Sequence, residues 1–558
     1  MSNNVWKDLA DIDRPAQGGS DEFGPEVAHA IAQIRAANGM DEGHDAPPTR
    51  ISGDAARFRD EIGSALPAVN RRGFLQLTGA AAVFALAGCW HKDPDVLVPY
   101  AQQPEGTTLG KPVWWSTVLR DAGRPVPVMV KTYDGRPIKI EGNPDSPVNG
   151  GKVVRGACDL ATQAALLNLY DPDRRIRGPA KRAAGTVGDL TWDAFDAEVG
   201  ALLASGKILL VTGPIDGLAR RTLTDAVVAG FGDRLTHVAY DPYAADRAAE
   251  ARRWCFGTDQ AKPPVYHLDK ASLLVTLGSD FLGGGQTGLR EEIAYGDFRR
   301  LRGAGADADM GQVIAFEPTM SQTGTVADIR VRASMDQVER LAWGLAKYLG
   351  AEVPAALKPA MGNELGLKPI EKSDAVQYVG ERLKAIKAAG GHSLIYVGGA
   401  THMGARSDGL HVAANLINSL LGNEGVTVET ASQPASAIFA SATATAEALA
   451  AVDADTVVVL ADVNPAYSLP GGTAALAKAK AVVCLTDRED ESFHAAGTAY
   501  LAPSLHGLEA WGDAEPIAGV HAIQQPVVRP LWDCRSVEDS LIALTAAAVF
   551  VYHRMTMD

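Results

Sequence analysis

Cysteine thiolates are the side chains of this sequence best suited to hold iron–sulfur clusters, zinc or haem. There are five, at Cys89, Cys158, Cys255, Cys484 and Cys534. No two of them lie within four residues of each other, so the Cys-x-x-Cys spacing typical of such centres is absent. The sequence therefore predicts no clustered metal centre. A single disulfide stays open as an alternative, although buried free thiols are the favoured interpretation.

The first cysteine ends a segment with the features of an export signal. Arg71 and Arg72 precede Phe74, Leu75 and a short apolar run that closes with Leu-Ala-Gly-Cys at Cys89. Paired arginines before a segment too short to span a bilayer are typical of twin-arginine signals. Leu-Ala-Gly-Cys is the pattern at which lipoprotein signals are cut and the cysteine is acylated. We therefore predict a lipid-anchored protein on the periplasmic side of the inner membrane. The alternative is a buried helix that happens to carry two arginines.

Composition narrows the class of protein further. A chain of 558 residues exceeds one hydrophobic core, which predicts two to four domains. The 46% apolar and 21% charged residues are ordinary for a soluble globular protein. A net charge of -15 argues against a nucleic-acid partner, because phosphate binding requires a basic face. The same charge suits a basic partner such as a c-type cytochrome.

Two types of pattern organise the chain after this signal. Residues 126–140 alternate apolar and polar residues around Asp134-Gly135, which predicts a β-hairpin. After residue 190, short apolar runs near 207, 272, 312, 393, 455 and 481 alternate with alanine-rich helical stretches. This alternation predicts α/β domains with parallel sheets covered on both faces. Ligands of such domains bind beyond the carboxyl ends of the strands, here at Gly213-Pro214, Gly278-Ser279-Asp280 and Gly398-Gly399-Ala400.

Six segments follow from these patterns. The leader is acidic and is predicted to be mostly disordered, and the last segment is predicted to pack against the hairpin domain and to end in a packed helix. In chain order the segments are a leader (1–70), the signal (71–89), a first domain (90–190), two doubly wound domains (191–350 and 351–490) and a return to the first domain (491–558).

Two motifs in the first domain resemble the molybdopterin oxidoreductase superfamily. They are a GRPxKIEGNP segment in the hairpin and the LYDPDR segment that follows it. The matching residues are Gly135, Arg136, Pro137, Glu141, Gly142, Asn143, Pro144, Tyr170, Asp171, Pro172 and Arg174. The segment QQPVVRPLWD at 524–533 resembles one branch, the large periplasmic iron–sulfur subunit of alternative complex III, a quinol:cytochrome c oxidoreductase.

The resemblance implies a fold, and this sequence departs from the superfamily pattern in two places. The implied fold is that of domains I–III of formate dehydrogenase and DMSO reductase: two doubly wound domains and a mixed, β-containing domain. Where the superfamily has clustered cysteines before the hairpin, this sequence has Trp114-Trp115, which we expect to pack there rather than to stack on a cofactor. Cys158 lies near the fourth cysteine position, but one thiolate cannot hold a cluster. The sequence also stops where the C-terminal β-barrel domain would begin, so we expect a fold that lacks it.

These departures favour a non-catalytic scaffold subunit without a cofactor of its own. The resemblance implies its partners: a ferredoxin-like iron–sulfur subunit or domain, a multihaem cytochrome c subunit and integral membrane quinol-binding subunits. One alternative is an active molybdopterin-dependent oxidoreductase that lacks the N-terminal iron–sulfur cluster. Another is a truncated remnant without a role.

Three other groups of residues have a structural and a functional interpretation. Gly283-Gly284-Gly285 fits a turn better than a phosphate loop, because it lacks the known glycine spacings. His402 and Met403 fit a polar loop better than a metal or haem site. Residues 487–492, with four acidic side chains, fit a helix N-terminus better than a catalytic pair of carboxylates.

The export signal gives the first prediction. Replacing Arg71 and Arg72 by lysine should leave the protein in the cytoplasm, because lysine lacks the planar, multi-donor guanidinium. Cell fractionation and immunoblotting measure this, and Gln76→Ala is the control that should still be exported. Periplasmic protein in the double-lysine variant would contradict the twin-arginine interpretation.

Overall fold

In the computed structural model, the described residues all belong to a unit that runs from Gln103 to Asp558. They are residues 108, 110–121, 124–149, 156–174, 178–242, 246–257, 262–283, 289–303, 309–351, 373–398, 407–430, 438 and 441–557. The predicted leader, the export signal with Cys89, and His402 and Met403 lie outside these residues. Their structural predictions therefore stay predictions.

Strands and helices alternate through most of the described chain. The strands are β1 (Val113–Asp121), β2 (Arg124–Tyr133), β3 (Arg136–Gly142), β4 (Ala180–Ala183), β5 (Thr186–Asp189), β6 (Lys207–Thr212), β7 (Leu235–Ala239), β8 (Pro264–Tyr266), β9 (Leu273–Leu277), β10 (Gln312–Glu317), β11 (Ile329–Arg332), β12 (Ser393–Tyr396), β13 (Val428–Thr430), β14 (Thr456–Ala461), β15 (Ala481–Thr486), β16 (Thr498–Pro503), β17 (Gly512–Ile517) and β18 (Val520–Gln524). The helices are α1 (Leu160–Leu169), α2 (Trp192–Leu203), α3 (Leu218–Phe231), α4 (Asp246–Phe256), α5 (Leu289–Phe298), α6 (Gln322–Thr325), α7 (Met335–Tyr348), α8 (Asp374–Ala388), α9 (Ser407–Leu421), α10 (Ala442–Ala450), α11 (Pro465–Ser468), α12 (Gly472–Leu476), α13 (Glu491–Ala495) and α14 (Val537–Met557).

The predicted hairpin is confirmed and belongs to a three-stranded antiparallel sheet, β1-β2-β3. Tyr133 pairs with Arg136 across a two-residue turn. Asp134 and Gly135 both have positive φ, at 48° and 77°. A two-residue turn with two positive φ angles matches the right-handed twist of the strands, and Asp-Gly is a preferred sequence for it.

The largest sheet has seven strands in the order β5-β4-β16-β15-β14-β6-β7. The strands from β16 to β7 are parallel, and β4 pairs antiparallel with β16. Side chains of α2, α3 and α14 cover one face, among them Phe195, Val227 and Leu544. Side chains of α10, α12 and α13 cover the other, among them Leu476 and Phe493. Burial on both faces explains why the central strands β6, β14 and β15 are apolar along most of their length.

A second parallel sheet has four strands in the order β11-β10-β9-β12. Helices α7, α8 and α9 cover one face, with Val338, Leu383 and Ile417 fully buried. The other face packs against α5 through Phe298. The short antiparallel pair β8 and β13 lies beside this core, where Tyr266 and Val428 join the same cluster.

The predicted division of the strands at about residue 350 is wrong. Strand β6 does not share a sheet with β9 and β10; it pairs with β14, about 250 residues further along the chain. Strand β12, from beyond residue 350, pairs with β9. The reason is physical: all six apolar runs are suited to burial on both faces, so their composition does not encode which run pairs with which.

The chain returns to the first sheet near its end. Leu508 and Val527 pack with Val128 and Val130 of β2 in one buried cluster. The hydroxyl of Thr117 donates to the carbonyl of Gln525 at 2.9 Å. Helix α14 then packs against the large sheet, as predicted for the final apolar run. None of the helices in the described part of the chain is long and apolar enough to cross a bilayer.

Tight packing in the hairpin sheet gives the second prediction. A Cβ atom on Gly142 would lie 2.2 Å from the backbone oxygen of Ala157. Gly142→Ala should therefore lower the free energy of unfolding by roughly 1–3 kcal/mol, because the backbone has to move. Gly188→Ala is the control, since a Cβ there meets nothing within 4 Å. Equal urea midpoints for the two variants would contradict the predicted clash.

Candidate functional site

A cavity of about 700 Å³ lies at the carboxyl ends of the parallel strands of the large sheet. Its wall includes Asp462 after β14, Thr486 at the end of β15 and Ser504 after β16. The first turns of α3 and α14, residues of β1, α1 and β18, and most of the segment 505–513 also line it. From β6 the chain turns to β7 on one side, whereas β14, β15 and β16 extend on the other, so the order of the strands reverses here. Ligands of doubly wound sheets bind at such a reversal.

Arg220 of α3 crosses this crevice and pairs with two carboxylates. Its Nε lies 2.7 Å from Oε1 of Glu538, and its Nη1 lies 3.1 Å from Oδ2 of Asp462. Asp462 adopts a φ of 57°, the left-handed region that residues other than glycine rarely enter. The structure therefore holds a strained backbone at the point where the Arg220 pair forms.

Charge and burial act in opposite directions on the pKa values of this cluster. Enclosure in the cavity, the largest influence, raises the pKa of Asp462 above its usual value, although Arg220 opposes the change. Enclosure also acts to raise the pKa of Glu538, but attraction to Arg220 and its hydrogen bond outweigh it and the pKa is lowered. Glu538 is thus the firmly ionised partner of Arg220, and Asp462 is the carboxyl that is easier to protonate.

A third carboxylate caps the N-terminus of α3. The N-cap residue is Gly217, which has no side chain to accept from the first turn. Instead, both carboxylate oxygens of Asp513, at the start of β17, accept from the N–H of Ala219, at 3.2 and 3.1 Å. A Cβ on Gly217 would lie 2.3 Å from the backbone oxygen of Asp513, so only glycine permits this approach. Negative charge at this position is stabilised by the helix dipole.

A second arginine joins the hairpin β17–β18 to the loop that follows β6. Arg120 of β1 donates through Nη2 to Oδ1 of Asp216 at 2.6 Å and to the carbonyl of Asp513 at 2.8 Å. Its Nη1 donates to Oε1 of Gln524 at 2.9 Å. The Arg120 guanidinium therefore fixes the position of the backbone that carries the Asp513 carboxylate.

Carboxylates outnumber cations on the wall of the cavity. Among the described lining residues the carboxylates are Asp462, Asp487, Asp490, Asp513 and Glu538, and the guanidiniums are Arg120 and Arg220. Each guanidinium is already paired with a carboxylate. Because the wall carries more negative than positive charge, it disfavours an anionic ligand such as a phosphate-bearing pterin. The described residues therefore do not fit that group.

His506 is held as a neutral imidazole in the wall of the cavity. Its Nδ1 accepts from the N–H of Leu508 at 3.1 Å, which leaves the proton on Nε2, 3.2 Å from the carbonyl of Ala165. Burial, followed by the charge of Arg174, lowers the pKa of His506. Both ring nitrogens have a structural partner, so this histidine is not placed as the base of a nucleophile.

The motif residues stabilise the protein and do not reach into the cavity. Arg174, fully buried, pairs with Glu509 at 2.8 Å, and the carboxylate of Glu509 also accepts from the N–H groups of His506 and Leu531. The Tyr170 hydroxyl donates to the carbonyl of Pro137 at 2.8 Å. These contacts join the loop after α1 to the hairpin and to the segment after β16.

The other motif residues have similar roles. Asp171 pairs with Arg488 at 2.9 Å; a hydrogen bond from the Asp173 N–H is the largest influence that lowers its pKa. The side-chain amide of Asn143 donates to Ser116 at 3.1 Å, and its oxygen accepts from the Asp145 N–H. The remaining motif residues lie at turns and close contacts. Gly135 has a positive φ in the hairpin turn, Gly142 and Pro144 lie close to neighbouring backbone, and Arg136 lies over the ring of Tyr170. Glu141 forms an exposed ion pair with Lys139, and Pro172 lies in an exposed turn.

The four cysteines in the described residues are thiols that form no disulfide bond. Burial is the main cause that raises the pKa of Cys158 and Cys255 to about 11 and that of Cys534 to about 12. Burial also raises the pKa of Cys484. A neutral thiol is a poor metal ligand. In the described ranges, no group of three or more histidine, cysteine or acidic side chains could hold a metal ion.

Several sequence predictions about individual residues can now be compared with the fold. Asp490 caps α13 through the Phe493 N–H at 2.9 Å, as predicted for this acidic segment. Trp114 and Trp115 are 41% and 36% exposed, so the prediction that they pack in place of a cluster is wrong. They lie on a surface strand, and Trp115 donates through its indole N–H to Thr132.

The predicted ligand segments lie only partly within the described residues, and their described members lie where the strand order of the two sheets reverses. Gly213 donates to the carbonyl of Ala461 across the reversal between β6 and β14. In the smaller sheet, the Ser279 hydroxyl donates to the carbonyl of Gly398 at 2.9 Å across the reversal between β9 and β12. Gly284, Gly285, Gly399 and Ala400 lie outside the described residues. Arg220, Asp513 and Glu538 were not predicted from the sequence, because no motif marks them. Asp462 had a signal in the sequence, as the acidic residue that ends an apolar strand.

Comparisons with known proteins agree with the superfamily resemblance. The chain is 27% identical over 519 residues to the menaquinone reductase, molybdopterin-binding-like subunit of Nitratidesulfovibrio vulgaris, covering 86% of this chain and 72% of that protein. It is 25% identical over 279 residues to a nitrate reductase of Symbiobacterium thermophilum, covering 46% of this chain and 32% of the relative. No protein-family profile matches the chain.

The fold has a solved counterpart. Acetylene hydratase from Pelobacter acetylenicus superposes with a TM-score of 0.55 at 14% identity, over 78% of this chain and 70% of the hydratase. At this identity the similarity concerns the fold alone. It supports a molybdopterin oxidoreductase-like α/β fold. The two relatives support the superfamily, without singling out the branch of alternative complex III.

The buried pair of Arg174 and Glu509 gives the third prediction. Arg174→Met should lower the free energy of unfolding by about 3–5 kcal/mol, because it leaves the Glu509 carboxylate buried without its charge partner. Arg221→Met is the control and should cost less than about 1 kcal/mol, because the pair with Asp225 is exposed. The double variant with Glu509→Gln should be more stable than Arg174→Met alone. A cost below 1 kcal/mol for Arg174→Met would contradict the role assigned to the pair.

Proposed function

We propose that this chain belongs to the molybdopterin oxidoreductase superfamily and is a non-catalytic subunit of a membrane-bound quinone oxidoreductase complex. Its similarity over 86% of the chain to a menaquinone reductase subunit supports a place in such a complex. In this role the chain holds neighbouring redox subunits in position and contains no cofactor of its own. Electrons pass through partners that carry iron–sulfur clusters and haems.

The charge of the cavity carries the proposal of a cofactor-free subunit. The position at which a doubly wound fold binds its ligand is lined by carboxylates, and both of its guanidiniums are paired. Desolvation raises the pKa values of the described cysteines, Cys158, Cys255, Cys484 and Cys534, and so favours their neutral thiol forms. Neither a phosphate-bearing pterin nor an iron–sulfur cluster finds suitable partners among these side chains.

More specifically, we propose that the complex is a quinol:cytochrome c oxidoreductase of the alternative complex III type. In such a complex, electrons pass from quinol to cytochrome c through partner subunits, and this chain holds those partners in position. The partners are a ferredoxin-like iron–sulfur subunit or domain, a multihaem cytochrome c subunit and integral membrane quinol-binding subunits. The acidic net charge of -15 suits contact with a basic cytochrome. Export by the twin-arginine route and acylation at Cys89 would place the subunit at the periplasmic face of the inner membrane.

A second function has one observation in its favour. The cavity volume of about 700 Å³ lies within the range of about 300–1,000 Å³ typical of ligand and cofactor sites. An active molybdopterin-dependent oxidoreductase without the N-terminal iron–sulfur cluster would use that space. The unfavourable charge of the wall argues against this function.

Elemental and pterin analysis decides between the two functions and is the fourth prediction. The full chain, purified under conditions that retain cofactors, should contain no stoichiometric molybdenum, tungsten or pterin, because its crevice repels the anionic group. Mass spectrometry of metals and fluorescence of oxidised pterins measure this. A molybdopterin enzyme purified in parallel from the same cells confirms that the cofactor was available. Stoichiometric molybdenum and pterin in this chain would establish the enzyme instead.

A further inference from the structure

We propose that the crevice between β6 and β14 is occupied by an intramolecular ligand, a set of three carboxylates that takes the place of an anionic ligand. The carboxylates belong to Asp462, Asp513 and Glu538. They neutralise the two groups of α3 that would otherwise bind a phosphate, and they thereby exclude phosphate-bearing ligands. The inference rests on the proposed absence of a pterin cofactor and names the groups that prevent its binding.

The first anion-binding group is the N-terminus of α3. This helix has 14 residues, follows β6 directly and begins at the reversal of strand order. In doubly wound folds the helix at this position binds phosphate through its free N–H groups and its dipole. Here the Ala219 N–H donates to Asp513 instead. The glycine at 217 permits an approach that any side chain would block.

The second anion-binding group is the guanidinium of Arg220, two residues into the same helix. A guanidinium at this position matches the geometry of a phosphate with two parallel hydrogen bonds. Two of its nitrogens are instead directed to Glu538 and Asp462, from α14 and from the end of β14. An incoming phosphate would have to displace both carboxylates and then remain beside them.

The hairpin β17–β18 carries the third carboxylate, that of Asp513, and is held in position by hydrogen bonds. Arg120 binds the backbone carbonyl of Asp513 and the side chain of Gln524, one from each strand of the hairpin. Gln524 also donates to the carbonyl of Gly507 at 3.1 Å. The carboxylate at the helix N-terminus is therefore held by a preorganised element rather than by a freely moving loop.

Removing the three negative charges should convert the crevice into an anion site. The test variant is Asp462→Asn/Asp513→Asn/Glu538→Gln, which preserves the shapes of the side chains and frees Arg220. The matched control is Asp225→Asn/Asp453→Asn/Glu250→Gln, which removes the same charge from exposed carboxylates outside the cavity wall. Isothermal titration of the metal-free full chains with inorganic pyrophosphate measures the affinity, and circular dichroism verifies folding.

We expect the test variant to bind pyrophosphate at least about tenfold more tightly than the wild type and the control. Adding Arg220→Gln to the test variant should abolish the gain. Should the triple variant fail to fold, Asp513→Asn alone, with the Arg220 pairs intact, is expected to gain at least about threefold over the single control Asp225→Asn.

Tight pyrophosphate binding by the wild type, or equal affinities in the test variant and its control, would overturn the inference. In the single-variant arm, equal affinities of Asp513→Asn and Asp225→Asn would do the same. These results are distinct from a failure of the proposed function, which would appear as molybdenum and pterin in the purified chain. Pyrophosphate binding by metal-free wild type refutes only the intramolecular ligand.

Discussion

The parallel pairing of β6 with β14 is the constraint on which the rest of the molecule depends. Six residue pairs, from Lys207 with Thr456 to Thr212 with Ala461, join segments far apart in sequence. This pairing reverses the order of the strands and creates the crevice at their carboxyl ends. It also brings Arg220, which follows β6, to Asp462, which follows β14. Without it, neither the cavity nor the ion pairs in its wall would exist.

The crevice has the shape of a ligand site, but its potential anion-binding groups are already paired with carboxylates of the chain itself. Carboxylates from three separate segments meet the N-terminus of α3 and the guanidinium of Arg220. Such pairs replace the contacts that a bound anion would make with the same groups. The fold thus keeps its architecture while the site has an electrostatic character unsuited to an anionic cofactor.

The sequence predicted the elements whose signals are local. The Asp134-Gly135 turn, the continuous apolar strands and the packed final helix each depend on a pattern within a few neighbouring residues. The sorting of β6, β9 and β12 into sheets was not predictable, because equally apolar strands do not specify their partners. The network at the cavity was missed for a similar reason: Arg220 lies hundreds of residues before Asp513 and Glu538, and none of the three belongs to a motif. The motif residues, by contrast, were found, and the fold assigns them stabilising contacts such as that of Arg174 with Glu509.

The central claim is that carboxylates of the chain itself occupy the anion-binding groups of this crevice, the N-terminus of α3 and the guanidinium of Arg220. A high-resolution cryo-electron microscopy map of the full chain, purified with its native complex, tests it most directly. The account predicts density for Arg220 between Asp462 and Glu538, with the Asp513 carboxylate at the Ala219 N–H. Density for a pterin or a phosphate between Arg220 and the N-terminus of α3, with these carboxylates displaced, would contradict it.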